Sequence, residues 1–349
     1  MASNGSGLTV AVTGPTGDIG RALLRRLDKE PKVRRVLGMA RRPFNPADSG
    51  LKKTEYRQGD ITKVEDVRAL FKDADVVVHL AFLIFGSIEE TRSINLEGCA
   101  NVFEATFDSS ATRLVYTSSV AAYGFHDDNP EVLTEDVPPR GTEEHYYSTQ
   151  KAELEETLAD MSRDKPIDVY VFRPCIVAGP TALSLIEKIP YVQLSEKLPK
   201  TAQKLVESLP LLRPVIPDSG VPFQLVHEDD VAEALTAAIL GEGRPGTFNL
   251  AAEGEITLSD LAHALGWYAL PIPEIAVETT VKVISRLPLL PTEANWLSAI
   301  RVPVLMDCTK AREELEWKPA YDALDTLADT IRSAREKGML RLPSKNQTA

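Results

Sequence analysis

LTVAVTGPTGDIGRALLRRL, residues 8–27, is an apolar run that breaks at three glycines and resumes with leucines at helical spacing. Glycine costs stability inside regular structure, so Gly14, Gly17 and Gly20 need a reason. A strand followed at once by GxxGxxG and a helix lets backbone amides and a helix N-terminus approach a pyrophosphate. Gly14 permits the tight turn, Gly17 the close approach, and Gly20 the packing of helix on strand. Thr16, Asp18 and Ile19 complete the candidate phosphate turn. A purely structural Gly-rich turn is the alternative.

Working outward, short apolar runs alternate with amphipathic stretches. Residues 8–13, 35–39, 55–58, 76–80, 113–117 and 169–172 read as strands, and 19–27, 64–71, 94–107 and 147–161 as helices. Such alternation implies an α/β fold with a doubly wound parallel sheet of Rossmann type. After about residue 180 a Pro- and Leu-rich stretch replaces the rhythm. We expect a nucleotide-binding domain over 8–180, with 224–252 returning to it through the strand GTFNLAA. A smaller, largely helical substrate lobe is expected from 181–223 and 253–341, with disordered tails at 1–7 and 342–349.

The chain has 349 residues, 43% of them hydrophobic, enough for a large core. Its net charge of −12 argues against nucleic acid and anionic membranes as partners. Three cysteines without a CxxC indicate neither a disulfide framework nor a zinc site, and no metal is expected. No run approaches the ~18 apolar residues of a membrane span, and a reducing cytoplasmic location fits. Cys99 and Cys175 read as small core hydrophobes, and Asp229 and Asp230 as caps of the helix they open.

The second strand of such a sheet normally ends in a carboxylate that holds the adenosine ribose. Here RRVLGMARRPF ends in Arg41 and Arg42. A guanidinium pair suits a 2′-phosphate, so NADP(H) is favoured, with NAD(H) as the alternative. Two solvated surface charges are the bland reading of the same pair.

HYYSTQKAELEE places Tyr147 and Lys151 four apart, on one face of a helix. A free phenol has a pKa near 10, and a neighbouring ammonium favours the phenolate, so the pair makes a proton-transfer device. Simple packing of a phenol on a lysine stem is the alternative for the pair alone.

The ordered series of motifs resembles the extended short-chain dehydrogenase/reductase, or NAD(P)-dependent epimerase/dehydratase, family along nearly the whole chain. TGPTGDIG (13–20) is similar to its TGxxGxxG. GDIT (59–62), with Asp60 and Ile61, is similar to its adenine-contacting turn, and HLAF (79–82), with Leu80 and Ala81, to its fourth-strand motif. NLEGCANVFEA (95–105), YTSSVAAYG (116–124), YSTQK (147–151), FRPCIVAGP (172–180), VHEDDVAEAL (226–235) and DCTKAREELEWKPAY (307–321) follow in order.

The resemblance implies Tyr147 as general acid/base, with Lys151 holding the nicotinamide ribose and lowering the tyrosine pKa. It further implies Ser119, rather than Ser118, on the reacting oxygen, Asn95 positioning a water, and Pro174 lining the cofactor. A homodimer through the helices of 94–107 and 147–161 is also implied.

Departures from the pattern bear on the substrate. Nucleotide-sugar members usually carry asparagine at the place of Ile176 and arginine at that of Phe223. Apolar residues there leave a diphosphate without partners. Phe82, Leu83, Ile84 and Phe85 follow the fourth strand and point to a less polar small molecule, unless they form the core between lobes. Val120 and Ala121 replace the acidic residues usual in dehydratases. The first reading is an NADP(H)-preferring reductase or dehydrogenase acting on a carbonyl or secondary alcohol, and the alternative is a sugar or nucleotide-sugar epimerase or dehydratase. A non-catalytic nucleotide sensor has no evident need of Tyr147, Lys151 and Ser119 together.

Overall fold

The computed structural model describes residues 7–84, 86–189, 191–193, 214–273 and 302–340. Its centre is a seven-stranded sheet built from β1 (Leu8–Thr13), β2 (Val33–Ala40), β3 (Thr54–Gln58), β4 (Val76–His79), β5 (Arg113–Thr117), β6 (Asp168–Pro174) and β10 (Gly246–Leu250). The spatial order is β3-β2-β1-β4-β5-β6-β10 and every pairing is parallel. The expected doubly wound sheet is present, and GTFNLAA joins it at the edge beside β6.

Side chains alternate between two buried faces, which is why the strands read as continuous apolar runs. On one face Val10, Val12, Val78, Val115 and Phe172 pack on leucines of α1 (Asp18–Lys29) and on the helix Glu228–Leu240. On the other, Ala11, Val77, Leu114, Tyr116 and Val171 meet α2 (Val64–Phe71), α4 (Gly98–Phe107) and α5 (Tyr146–Ser162).

The helix expected over 94–107 is compound. A short α3 (Ile88–Arg92) runs into a π-helical turn, Ser93–Glu97, before α4 begins. Sequence periodicity does not reveal that extra residue per turn.

A smaller body carries the pairs β7 (Ile176–Ala178) with β9 (Leu225–His227), and β8 (Val215–Asp218) with β11 (Tyr268–Pro271). Its core joins Leu183, Ile186, Leu225, Leu261, Trp267, Leu327 and Ile331. The stretch 253–341, expected to be helical, thus contains a strand. Pro217 and Pro271 sit inside the paired strands and Val215, Tyr268 and Leu270 are exposed, so no alternating pattern marks them. The expected tails at 1–7 and 342–349, Gly7 apart, lie outside the described residues, as do Phe85 and residues 194–213 and 274–301.

The acidic start of the helix Glu228–Leu240 joins the two bodies. His227 is its N-cap, accepting from the Asp229 amide at 3.2 Å while its ring stacks on Tyr321 at 3.8 Å. Asp230 does not cap its own helix as expected; its carboxylate accepts from the Ala320 and Tyr321 amides at 2.8 and 3.3 Å. Glu228, fully buried, accepts from the Thr181 amide at 3.0 Å, the Thr181 hydroxyl at 2.8 Å and Arg25 at 2.9 Å.

Because Glu228 accepts from donors on two sides, Glu228→Gln sets an amide N–H against one of them. The substitution is expected to cost about 1–3 kcal/mol, read as a lower urea unfolding midpoint. An unchanged midpoint contradicts this role.

Candidate active site

The C-terminal ends of the parallel strands share one edge, and the strand order reverses between β1 and β4. That switch point is where open α/β sheets bind ligands. Gly14, just past β1, has φ +74°, a left-handed conformation that favours glycine. A Cβ there would lie 2.7 Å from the Ala81 amide nitrogen, so the turns after β1 and β4 touch backbone to backbone. At Gly20 a Cβ would sit 2.4 Å from the Gly14 carbonyl oxygen. Its neighbour is thus the turn itself rather than the strand.

Gly17 differs. Its φ is −76°, it is exposed, and an added Cβ would meet only the Gly14 carbonyl oxygen at 3.5 Å, an ordinary contact. No protein atom requires glycine there, while its place as N-cap of α1 leaves the helix amides open to an anion. Thr16 and Ile19 are half-buried in the same turn, and Asp18 accepts from Ser184 of the smaller body at 3.0 Å. Burial, ahead of other causes, raises the Asp18 carboxyl above its ordinary value.

Arg41 and Arg42 follow β2 and are exposed. Their carbonyls accept from Gln58, at 2.8 Å, and from the Tyr56 hydroxyl, which pins the main chain. Among the described residues neither guanidinium has a hydrogen bond or ion pair. Asp60 Oδ1 accepts from the Thr62 amide and hydroxyl, both at 3.0 Å, and leaves Oδ2 open. Ile61 is buried against Gly98, and Leu80 donates its amide to Thr13.

The end of β5 and the first two turns of α5 bring Ser119, Tyr147 and Lys151 together. Ser119 is N-cap of the 3-10 turn Val120–Tyr123, accepting from the Ala121 amide at 3.2 Å, and its hydroxyl lies near enough to the Tyr147 phenol to favour the phenolate. Ser118 is turned away and hydrogen-bonds Glu155. Lys151, 2% exposed, donates to the Thr117 carbonyl at 2.9 Å, and Tyr116 hydroxyl lies at 3.5 Å. Phe82 ring centroid lies 3.9 Å from Lys151 Nζ, and the same ring meets Tyr147 edge-on at 5.4 Å. Among the described residues the buried Thr117 hydroxyl has no hydrogen-bond partner.

The electrostatics are those of a dry pocket. Burial brings Lys151 down to about 8, opposed by Cys99 and Glu155, so it keeps its proton at neutral pH. Burial also lowers His79 to about 3 and raises Cys99 to about 12, leaving both neutral. Tyr147 is raised above 10 by burial, with the Ser119 hydroxyl opposing. In the protein alone the balance at Tyr147 is therefore the reverse of the expected lowering, because burial outweighs the Ser119 contribution.

Asn95, fully buried in the π turn, brackets Leu83, its Oδ1 accepting from the amide at 2.8 Å and its Nδ2 donating to the carbonyl at 2.9 Å. Its second amide proton goes to Gln150 at 2.8 Å. With both protons engaged, it clamps the segment after β4 to α5, and one lone pair is left for a water.

Pro174 closes β6 and Ile176 opens β7, half-buried against the smaller core. Phe223 does not face the cluster as a substrate contact was expected to. It is 9% exposed within the core of the smaller body, exchanging two backbone hydrogen bonds of 2.9 Å with Ile256.

Sequence reasoning passed over Gln150, Glu155 and Arg173. The available signal was the four-residue spacing that puts Glu155 on the stripe of Tyr147 and Lys151.

A glycine turn at the switch point of a parallel sheet, beside a Tyr–Lys–Ser cluster, defines a dinucleotide-binding α/β enzyme. The chain belongs to the NAD dependent epimerase/dehydratase family, whose family model matches residues 10–251. The family is one of enzymes that work with a pyridine nucleotide, and this chain is such an enzyme.

An uncharacterized protein of Mycobacterium tuberculosis is 25% identical over 334 residues, covering 93% of this chain and 83% of its own. The mouse 3 beta-hydroxysteroid dehydrogenase type 7 is 29% identical over 192 residues, 49% of this chain and 51% of its own. Among solved structures, UDP-glucuronic acid 4-epimerase from Bacillus cereus in complex with NAD superposes with a TM-score of 0.70 at 18% identity, over 95% of this chain and 99% of that one. Among the described residues no helix is long and apolar enough to cross a membrane.

Exposed Gly17 and buried Gly20 separate ligand from fold. Gly20→Ala is expected to destabilise by about 1–3 kcal/mol through overpacking. Gly17→Ala should change stability by no more than about 1 kcal/mol yet weaken nicotinamide-nucleotide binding about tenfold or more, as backbone approach is lost. Equal nucleotide affinity in Gly17→Ala and wild type, by calorimetric titration, contradicts the assignment.

Proposed function

We propose that the protein is an oxidoreductase that moves a hydride between a nicotinamide cofactor, preferentially NADP(H), and a carbonyl or secondary alcohol of low polarity. The observation that carries the reading is the Ser119–Tyr147–Lys151 cluster set beside the ring of Phe82.

The residues fit the cofactor. The Gly14–Gly20 turn receives the pyrophosphate, with Thr16, Asp18 and Ile19, and Asp60 and Ile61 flank the adenine. Arg41 and Arg42, exposed and unpaired among the described residues, receive the 2′-phosphate, and Leu80, Ala81 and Pro174 line the nicotinamide half. The cofactor, when bound, supplies or accepts the hydride. Everything else falls to the chain's own side chains.

Ser119 hydroxyl holds the reacting oxygen, and the Tyr147 phenol donates its proton to that oxygen as charge develops during reduction. A phenol raised by burial keeps its proton at neutral pH, as a general acid requires. Lys151, protonated below about 8, braces the Thr117 carbonyl and offers its remaining N–H to the nicotinamide ribose. Asn95 keeps Phe82 and Leu83 in place and holds a water through its free lone pair.

The ring of Phe82 beside Tyr147 and Lys151 suits a less polar substrate better than a sugar diphosphate. The name of the mouse relative, a hydroxysteroid dehydrogenase, agrees with that choice. Assembly as a homodimer through α4 and α5 completes the proposal.

A second reading rests on the solved neighbours, which include a UDP-glucose 4-epimerase with UDP-glucose and a UDP-glucuronic acid 4-epimerase in complex with NAD. It requires a resident NAD⁺ and a diphosphate site that Ile176 does not supply.

The test is turnover of apolar cyclic ketones and their secondary alcohols with NADPH or NADP⁺, beside UDP-glucose and UDP-glucuronic acid. Tyr147→Phe is expected to reduce kcat by about 10²-fold or more. Arg41→Ala/Arg42→Ala should raise the KM for NADPH at least about tenfold while changing that for NADH less than about twofold. Full turnover by Tyr147→Phe refutes the acid/base role, and equal losses with both nucleotides refute the 2′-phosphate site.

A further inference from the structure

Tyr147, Lys151 and Glu155 stand one turn apart on α5, and the chemistry proposed above uses only the first two. Glu155 is 8% exposed and accepts from three directions. Arg173 of β6 donates Nε at 3.0 and 3.1 Å to its two oxygens and Nη2 at 2.5 Å, and Ser118 hydroxyl is a further partner. The guanidinium lies 4.4 Å over the ring of Tyr123 and reaches the Val137 carbonyl at 3.4 Å. Tyr123 hydroxyl bonds Asn249 of β10 at 2.8 Å.

A buried ion pair of this kind is a poor source of net stability, since desolvation offsets the attraction. Its geometric consequence is clearer. Ser118 is the chain neighbour of Ser119, and it is held twice. Its amide donates to the Phe172 carbonyl at 2.7 Å, tying it to β6, while its hydroxyl ties it to α5. Only α5 carries Tyr147.

We propose that Ser118, Glu155 and Arg173 form a relay of positioning residues that locks the end of β5 to α5 and so holds the Ser119 hydroxyl against the Tyr147 phenol. The proposal rests on the acid/base reading of Tyr147. The Ser119 hydroxyl favours the phenolate, so displacing it moves the Tyr147 titration to higher pH. Among the described residues the other titratable groups about Tyr147 are Lys151 on its own helix and Tyr116 at the end of β5, and a substitution at Ser118 removes neither.

The test needs no turnover. Near-ultraviolet absorbance titration of phenolate in the wild type, minus that of Tyr147→Phe, isolates the Tyr147 transition. The same difference is then taken between Ser118→Ala and Ser118→Ala/Tyr147→Phe. We expect Ser118→Ala to move the transition up by about half a pH unit or more, in the direction of Ser119→Ala. A transition at its wild-type position in Ser118→Ala overturns the relay, even if the unfolding midpoint falls.

Glu155→Gln strands a buried guanidinium and lowers stability directly, so Ser118→Ala is the deciding variant. Retained turnover in Tyr147→Phe sinks the acid/base reading, whereas an unmoved titration sinks only the relay.

Discussion

The backbone contact between the turn after β1 and the turn after β4 is the constraint on which the rest depends. Gly14 sits against Ala81 with no room for a side chain, which brings the switch point of the sheet to its narrowest. From there α1 leaves on one face with its N-terminal amides exposed. On the other side the segment 80–84 passes over Lys151 and Tyr147, where Asn95 and Gln150 catch it. The glycine turn and the Ser119–Tyr147–Lys151 cluster thus flank one close approach.

Burial then does most of the chemical tuning. Lys151 is brought to about 8 and His79 to about 3, while Cys99 rises to about 12. The floor of the site is therefore neutral, apart from the Lys151 ammonium and the paired Glu155 and Arg173. A field from one ammonium in a medium of low dielectric acts over a longer reach than the same charge in water. Tyr147, raised by the same burial, has only the Ser119 hydroxyl opposing it.

What could be read from the sequence was what a local pattern records. Both-face burial wrote β1, β4, β5 and β6 as apolar runs, and the glycine spacing marked the turn. The choice of Ser119 over Ser118 follows from the family resemblance, by the spacing to Gly124, and Ser118 is turned to Glu155. Long-range polar pairings were not legible. Nothing in VHEDD says that Asp230 holds the amides of Ala320 and Tyr321, and nothing in YSTQKAELE says that Glu155 meets Arg173. The family pattern, with arginine usual at the place of Phe223, points to a substrate contact, but the apolar ring joins a core. Strands β8 and β11 escaped because prolines and exposed side chains erase their alternation.

The proposal turns on a cofactor that exchanges with solvent rather than one recycled in place. The direct measurement is to purify the protein without added nucleotide, denature it, and identify and quantify the nicotinamide nucleotide released. The account predicts little nucleotide, or NADP(H). Near-stoichiometric NAD⁺ would contradict it, reducing Arg41 and Arg42 to surface charges and returning the site to epimerase chemistry.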